Sequence, residues 1–359
     1  MRKAFRIVGT ILSIGAITLF LDAVVTATLL PGVINTDRDA AEAGNRRAYV
    51  HADYHHDIFP GQDMTRVWGR IIYPWKSDRY GFRTGTCGPG EAEKAWPAIF
   101  VIGDSFVEAI GSSYEQSFAG LMACDAAKQN KAMWNLGVSS YSPIIYWRKV
   151  KAAAEKIGRK PSEVYVFLDL SDIEDEANIY REGPDGKALV KSKPEPSRDN
   201  WDADPKHWVI RRFTTARLLY DTYVSASFTW DRSVGHDRGR RPFDQKLLEN
   251  WGRRGLEIAG GNLDKLVGLC RGWQCRVTLV VYPWPDSIVA KDRDSLQVRH
   301  WRDWSAARGV RFIDGFAPFF KEPADATMRR YYIKGDVHFT AAGNQLIYET
   351  VRQAVDGKW

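Results

Sequence analysis

The chain has 359 residues, of which 44% are hydrophobic, enough to bury one large core without requiring a second compact domain. Its net charge of +7 comes with no dense basic run and no recognisable nucleic-acid module, so no nucleic-acid partner is expected. Four cysteines without zinc-type spacing give no reason to expect a metal or another cofactor.

Taken in chain order, Arg2, Lys3 and Arg6 precede an apolar stretch over 7–30 that is interrupted by Asp22. As a helix this stretch would span about 36 Å, enough for a bilayer. Residues 1–34 therefore predict a membrane anchor, or alternatively a cleaved signal peptide, with the remainder outside the cytoplasm. Residues 35–72 read as a juxtamembrane linker. His51, His55 and His56 lie there, without the carboxylate and third ligand that a metal would need.

From residue 98 the pattern alternates. Short apolar runs at 98–102, 132–136, 164–168, 276–282 and 310–314, the first of them β-branched, predict five buried parallel strands. Helices are expected at about 115–128, 144–157, 243–269, 292–308 and 341–355, the last with Thr340 as its N-cap. Right-handed crossovers between such strands give a three-layer α/β/α sandwich. An irregular insertion, 180–242, leaves the third strand. Cys270 and Cys275 would clip a tight helix-to-strand connection, and Cys87 with Cys124 is a possible second pair.

Chemistry is concentrated at two places. The first strand ends in Gly103-Asp104-Ser105, which puts a serine at the edge where open α/β sheets bind ligands. A serine hydroxyl needs an oriented base, and Asp336-Val337-His338 offers one, with Asp336 fixing the imidazole tautomer. Trp201, Trp208 and Trp230 fall in the insertion. Trp284, in Tyr282-Pro283-Trp284-Pro285, sits on the ligand side of the sheet. Core or lid packing is the commoner role for such residues, with a sugar-stacking groove as the alternative, and the high total of 14 Trp favours a carbohydrate over a lipid.

Together these blocks resemble the SGNH (GDSL-type) hydrolase family. Ser105 matches its first block, Gly137 in Asn135-Leu136-Gly137 its second, and Asp336 with His338 its last. Asp78 to Arg83, a turn around Gly81, resembles a segment often found ahead of the first strand in that family. The third block departs from the pattern: Gly-x-Asn-Asp is expected, and the chain has Asp169-Leu170-Ser171-Asp172. The resemblance implies a five-stranded parallel, flavodoxin-like sheet over 73–359, with the insertion at 180–242. It implies Ser105, His338 and Asp336 as nucleophile, base and orienting acid. The oxyanion would be bound by the N–H groups of Ser105 and Gly137 and a side chain from the third block, here Ser171. Asp172 is then expected to point away and pair with an arginine; Ser171 could equally be a plain helix N-cap. Asp104 and Trp284 are the expected substrate contacts.

The function so implied is a serine esterase or O-acyltransferase acting on acyl, chiefly acetyl, groups of an extracytoplasmic glycan, in the bacterial periplasm or at the cell surface. A transferase would take its acyl group from a membrane partner. Two alternatives stand beside it: a weakly catalytic glycan-binding or assembly protein on the same fold, and a lipid esterase or lysophospholipase.

Overall fold

The computed structural model describes residues 2–29, 48–68, 71–89, 97–190, 213–215, 219, 223 and 229–359. Its centre is an eight-stranded sheet. Five strands are parallel and coincide with the expected runs: β6 (Ala98–Ile102), β7 (Ala132–Asn135), β8 (Glu163–Leu168), β11 (Arg276–Val281) and β12 (Arg311–Asp314). Every residue of β6, β7 and β8 is buried, as strands covered on both faces must be. Their spatial order is β12-β11-β8-β6-β7. In chain order that is 2-1-3-4-5, the flavodoxin-like arrangement, and its switch point lies between β6 and β8.

The expectation of five strands is corrected by three more. β3 (Asp63–Trp68), β4 (Ile71–Ser77) and β5 (Arg83–Thr84) extend the sheet antiparallel beyond β7. β4 alternates buried and exposed residues over most of its length, the period-two signature of a strand with one wet face. Part of the supposed linker 35–72 is thus built into the sheet. It also holds a small hairpin, β1 (Ala48–His51) with β2 (His55–Ile58).

Alternate side chains of the strands feed two cores. Phe100, Trp134 and Val166 pack toward the helices Pro143–Ile157 and Arg253–Trp273, while Val101, Tyr165 and Phe167 pack toward Phe118–Ala127 and Ala341–Ala354. Ser117 and Thr340 cap the last two, accepting from the N–H of Gly120 and Gly343. Disulfides join Cys87 to Cys124 and Cys270 to Cys275. Within the insertion, β9 (Tyr180–Glu182) and β10 (Ala188–Val190) pair as a hairpin, and residues 229–241 return to the sheet edge. Trp201 and Trp208 lie outside the described residues.

The membrane anchor is not supported. The first helix runs Arg2–Leu29, but no helix among the described residues is long and apolar enough to cross a membrane. Its sequence is broken by hydroxyls and a charge. Thr10, Thr18 and Thr28 donate back to carbonyls four residues earlier, and the Asp22 carboxylate accepts from the N–H of Thr215. The expected membrane-anchored placement is corrected accordingly.

Candidate active site

Ser105 opens a short helix, Ser105–Glu108, at the carboxyl end of β6. Asp104 caps that helix through a carboxylate oxygen that accepts from the N–H of Phe106 at 3.0 Å. The turn requires glycine at 103, where a Cβ would lie 2.4 Å from Val107 Cγ2 and 2.9 Å from the Phe167 carbonyl oxygen. The first N–H groups of a helix have no partner within it, so the Ser105 N–H is exempt from the helical ladder.

The second element is a tight loop before the terminal helix. Ile333 N–H donates to the His338 carbonyl, and Asp336 N–H donates to the Ile333 carbonyl. Asp336 Oδ1 then accepts from both the backbone N–H of His338, at 2.8 Å, and its Nδ1, at 2.5 Å. With Nδ1–H given to Asp336, Nε2 is the acceptor, and it lies 2.8 Å from Ser105 Oγ. Ser105, His338 and Asp336 are thus in one hydrogen-bonded line across 233 residues of chain. Burial works to raise the Asp336 carboxyl, but the His338 charge and the hydrogen bonds from His338 and Trp68 bring it down to about 2. It is a firm anion at neutral pH.

Trp68, at the end of β3, is a participant that the sequence did not reveal. Its Nε1–H donates to the other Asp336 oxygen at 2.8 Å, and its ring stands edge-on to His338 at 5.5 Å. It fell in a segment read as linker, and no motif marks it. Glu108 was missed too. Fully buried, it accepts from Arg66 at 3.1 Å and from the N–H and hydroxyl of Ser139 at 2.7 and 2.6 Å. It therefore braces the loop that carries Gly137.

The oxyanion donors are not free as expected. Gly137 N–H donates to Asn135 Oδ1 at 2.9 Å. Ser171 gives both its N–H and its hydroxyl to Asp169 Oδ1, each at 2.6 Å. The cause is Asp169, a carboxylate where the resemblance expects a glycine: it is the strongest acceptor within reach and collects both donors. Asp169 also takes over the capping role offered to Ser171, accepting from the N–H of Asp172 as well. Asp172 does not turn away to an arginine: it stays beside Asp104 and Asp169 and accepts from the Tyr146 hydroxyl at 2.8 Å.

The expected substrate contacts are likewise internal. Asp104 is 3% exposed and accepts from Ser105 Oγ at 3.1 Å. Trp284 is 6% exposed, donates from Nε1 to Asp169 at 2.9 Å, and meets His236 of the insertion edge-on at 5.9 Å. Neither presents a free face to a sugar. Trp230 instead lines a cavity of about 460 Å³ with Ile71, Gly111, Tyr332 and Ile333.

No family model and no curated protein matches this chain. Among solved structures it is similar to TesA, at 11% identity and TM-score 0.40 over 72% of this chain and 97% of that one. It is also similar to the psychrotrophic esterase EstA from Pseudoalteromonas sp., at 12% identity and TM-score 0.40 over 72% and 96%. A third is Axe2, an acetylxylan esterase from Geobacillus stearothermophilus, at 13% identity and TM-score 0.40 over 73% and 96%.

Proposed function

We propose that this chain is a serine esterase or O-acyltransferase that works through an acyl-enzyme on Ser105 and acts on small acyl groups, chiefly acetyl, carried by a glycan. The observation that carries this reading is the unbroken line from Ser105 Oγ through His338 to Asp336. His338 Nε2 takes the serine proton as Oγ attacks the ester carbonyl, and the imidazolium so formed is stabilised by Asp336. His338 then returns the proton to the leaving alcohol. In the second half-reaction it activates water, or a glycan hydroxyl in the transferase case. The surroundings of Ser105 support a small acyl group: the buried carboxyl groups of Asp104 and Asp169 make them polar, unlike the apolar cleft a long chain needs.

The serine proton has two acceptors, His338 Nε2 at 2.8 Å and Asp104 at 3.1 Å, and only the first leads to attack. Oxyanion binding rests on the Ser105 N–H until Gly137 and Ser171 exchange their present partners. Each missing donor is worth about 100- to 1,000-fold in rate. Turnover is therefore expected to be slow on minimal esters and faster on a substrate that displaces Asn135 or Asp169.

The same engaged donors favour a second reading, a glycan-binding protein with vestigial catalysis. A serine-directed phosphonate separates the two. Stoichiometric labelling of Ser105, and acetyl-ester hydrolysis that falls by at least ~1,000-fold in Ser105→Ala, support the enzyme. An unlabelled Ser105, or activity unchanged in that variant, refutes it. Mass added to an oligosaccharide without matching free acetate identifies transfer. Preference for octanoyl over acetyl esters would point to the lipid substrate instead.

A further inference from the structure

Beside Ser105, the ends of β6 and β8 bring three carboxylates together. Asp104, Asp169 and Asp172 each offer one oxygen, and these oxygens lie within 4.8 Å of one another. All three residues are buried. Their surroundings are those of anions. Asp104 accepts from the Phe106 N–H and the Ser105 hydroxyl, and Asp172 from the Tyr146 hydroxyl and the Asp169 N–H. Asp169 accepts from Ser171, Asp172 and Trp284. Such donors favour the charged form of a carboxyl.

Among the described residues none of the three forms an ion pair, and Arg238 and Arg241 reach only the charge of Asp169, from a distance. Arg238 is held by Glu174 and Asp175, and Arg241 bonds to Gln297, leaving its Nε and Nη1 without partners. Two further observations point to an occupant. Asp172 Oδ1 is buried with no partner. So is the hydroxyl of Tyr282, a fully buried side chain just past β11 that lies close enough to feel the charge of all three aspartates.

We propose that Asp104, Asp169 and Asp172 bind a divalent cation at the switch point of the sheet, with the Tyr282 hydroxyl beside it, and that the ion is Ca²⁺. The donor set is all oxygen, which selects a hard cation. Oxygens on opposite sides of Ca²⁺ stand ~4.6–5.2 Å apart, against ~4.0–4.2 Å around Mg²⁺. That limit admits either ion, and the all-protein cage of three buried carboxylates favours Ca²⁺, because Mg²⁺ keeps several waters and is held by one or two carboxylates. By drawing on the Asp104 charge, the ion would also weaken the competing hydrogen bond from Ser105 and leave its proton to His338. The site itself does not depend on the ester reaction, and its test does not use activity.

The experiment is a Tb³⁺ titration of the full chain after treatment with a chelator, exciting the protein's own tyrosines and tryptophans. Tyr146, Tyr282 and Trp284 adjoin the cluster as donors. Sensitised emission should saturate at one ion per chain and be displaced by Ca²⁺. It should fall at least ~10-fold in Asp172→Asn and persist in Asp325→Asn, an exposed control. Asp104→Asn serves as the second variant if Asp172→Asn does not fold. Ca²⁺ at ~100 times its Kd should raise Tm by roughly 5 °C. Equal emission in wild type and both cluster variants overturns the proposal. So does the absence of emission together with an unchanged Tm, in which case shared protons neutralise the cluster.

Discussion

Replacing Trp68 by Phe isolates one hydrogen bond on the proposed acid. The indole Nε1–H meets Asp336 Oδ2 at 2.8 Å, while both protons on Oδ1 come from His338. Phenylalanine keeps an aromatic edge toward His338 and removes only the donor. A hydrogen bond to a charged group contributes ~1.5–3 kcal/mol, and leaving the half-buried oxygen to water recovers part of that. The carboxyl rises above about 2 but stays ionised at neutral pH, so charge is retained and orientation is what suffers. A loss of ~1–2 kcal/mol from the transition state corresponds to a fall in kcat of roughly 5- to 30-fold. KM should hold, because Trp68 hydrogen-bonds to Asp336 and the substrate binds at Ser105. The assay is steady-state hydrolysis of an acetyl ester by wild type, Trp68→Phe and Asp336→Asn, with Tm measured alongside. Asp336→Asn should cost ~10,000-fold, the loss described for the equivalent change in a serine protease. If Trp68→Phe lowers Tm but leaves kcat within twofold, Trp68 is a structural prop and the positioning argument fails.

Two other changes probe different parts of the site. Gly137→Ala puts a methyl group 2.5 Å from Val107 Cβ and 3.0 Å from the Glu108 backbone nitrogen. It should destabilise by ~1–3 kcal/mol in urea and lower kcat by displacing the adjacent N–H; unchanged unfolding would show that the loop yields freely. Asp175, buried and pushed up to about 7 despite Arg238, sets a pH dependence of stability. Its folded pKa lies above the unfolded value, so its contribution is complete below about pH 4 and is lost as pH rises to about 7. Asp175→Asn should flatten that decline, by up to ~4 kcal/mol between pH 4 and 8, leaving Arg238 with Glu174. Parallel stability profiles for variant and wild type would contradict the assignment.

Local signals were sufficient for the parallel core and for the Ser105, His338 and Asp336 line. A buried parallel strand must be apolar on both faces, so Ala98–Ile102 and Glu163–Leu168 announce themselves by composition. Gly103 and the Asp-x-His loop are short-range devices whose geometry is set within a few residues. The N-terminal stretch shows the limit of the same method. Counting apolar residues over 7–30 suggested a span, whereas the folded chain shows no helix long and apolar enough for one among the described residues.

What only the tertiary structure decided depends on partners distant in sequence. Trp68 reaches Asp336 across 268 residues, and Glu108 is matched by Arg66 on an antiparallel strand that composition had assigned to a linker. Asp169 has the largest effect. As a residue it is one more acid in an acidic stretch. At the end of β8 it takes both donors of Ser171, anchors the buried Trp284 and joins Asp104 and Asp172 in a single carboxyl cluster. The sequence determines which groups the chain can offer. Which of them face one another, and hence which donors are already spent, follows from the order in which the sheet assembles its strands.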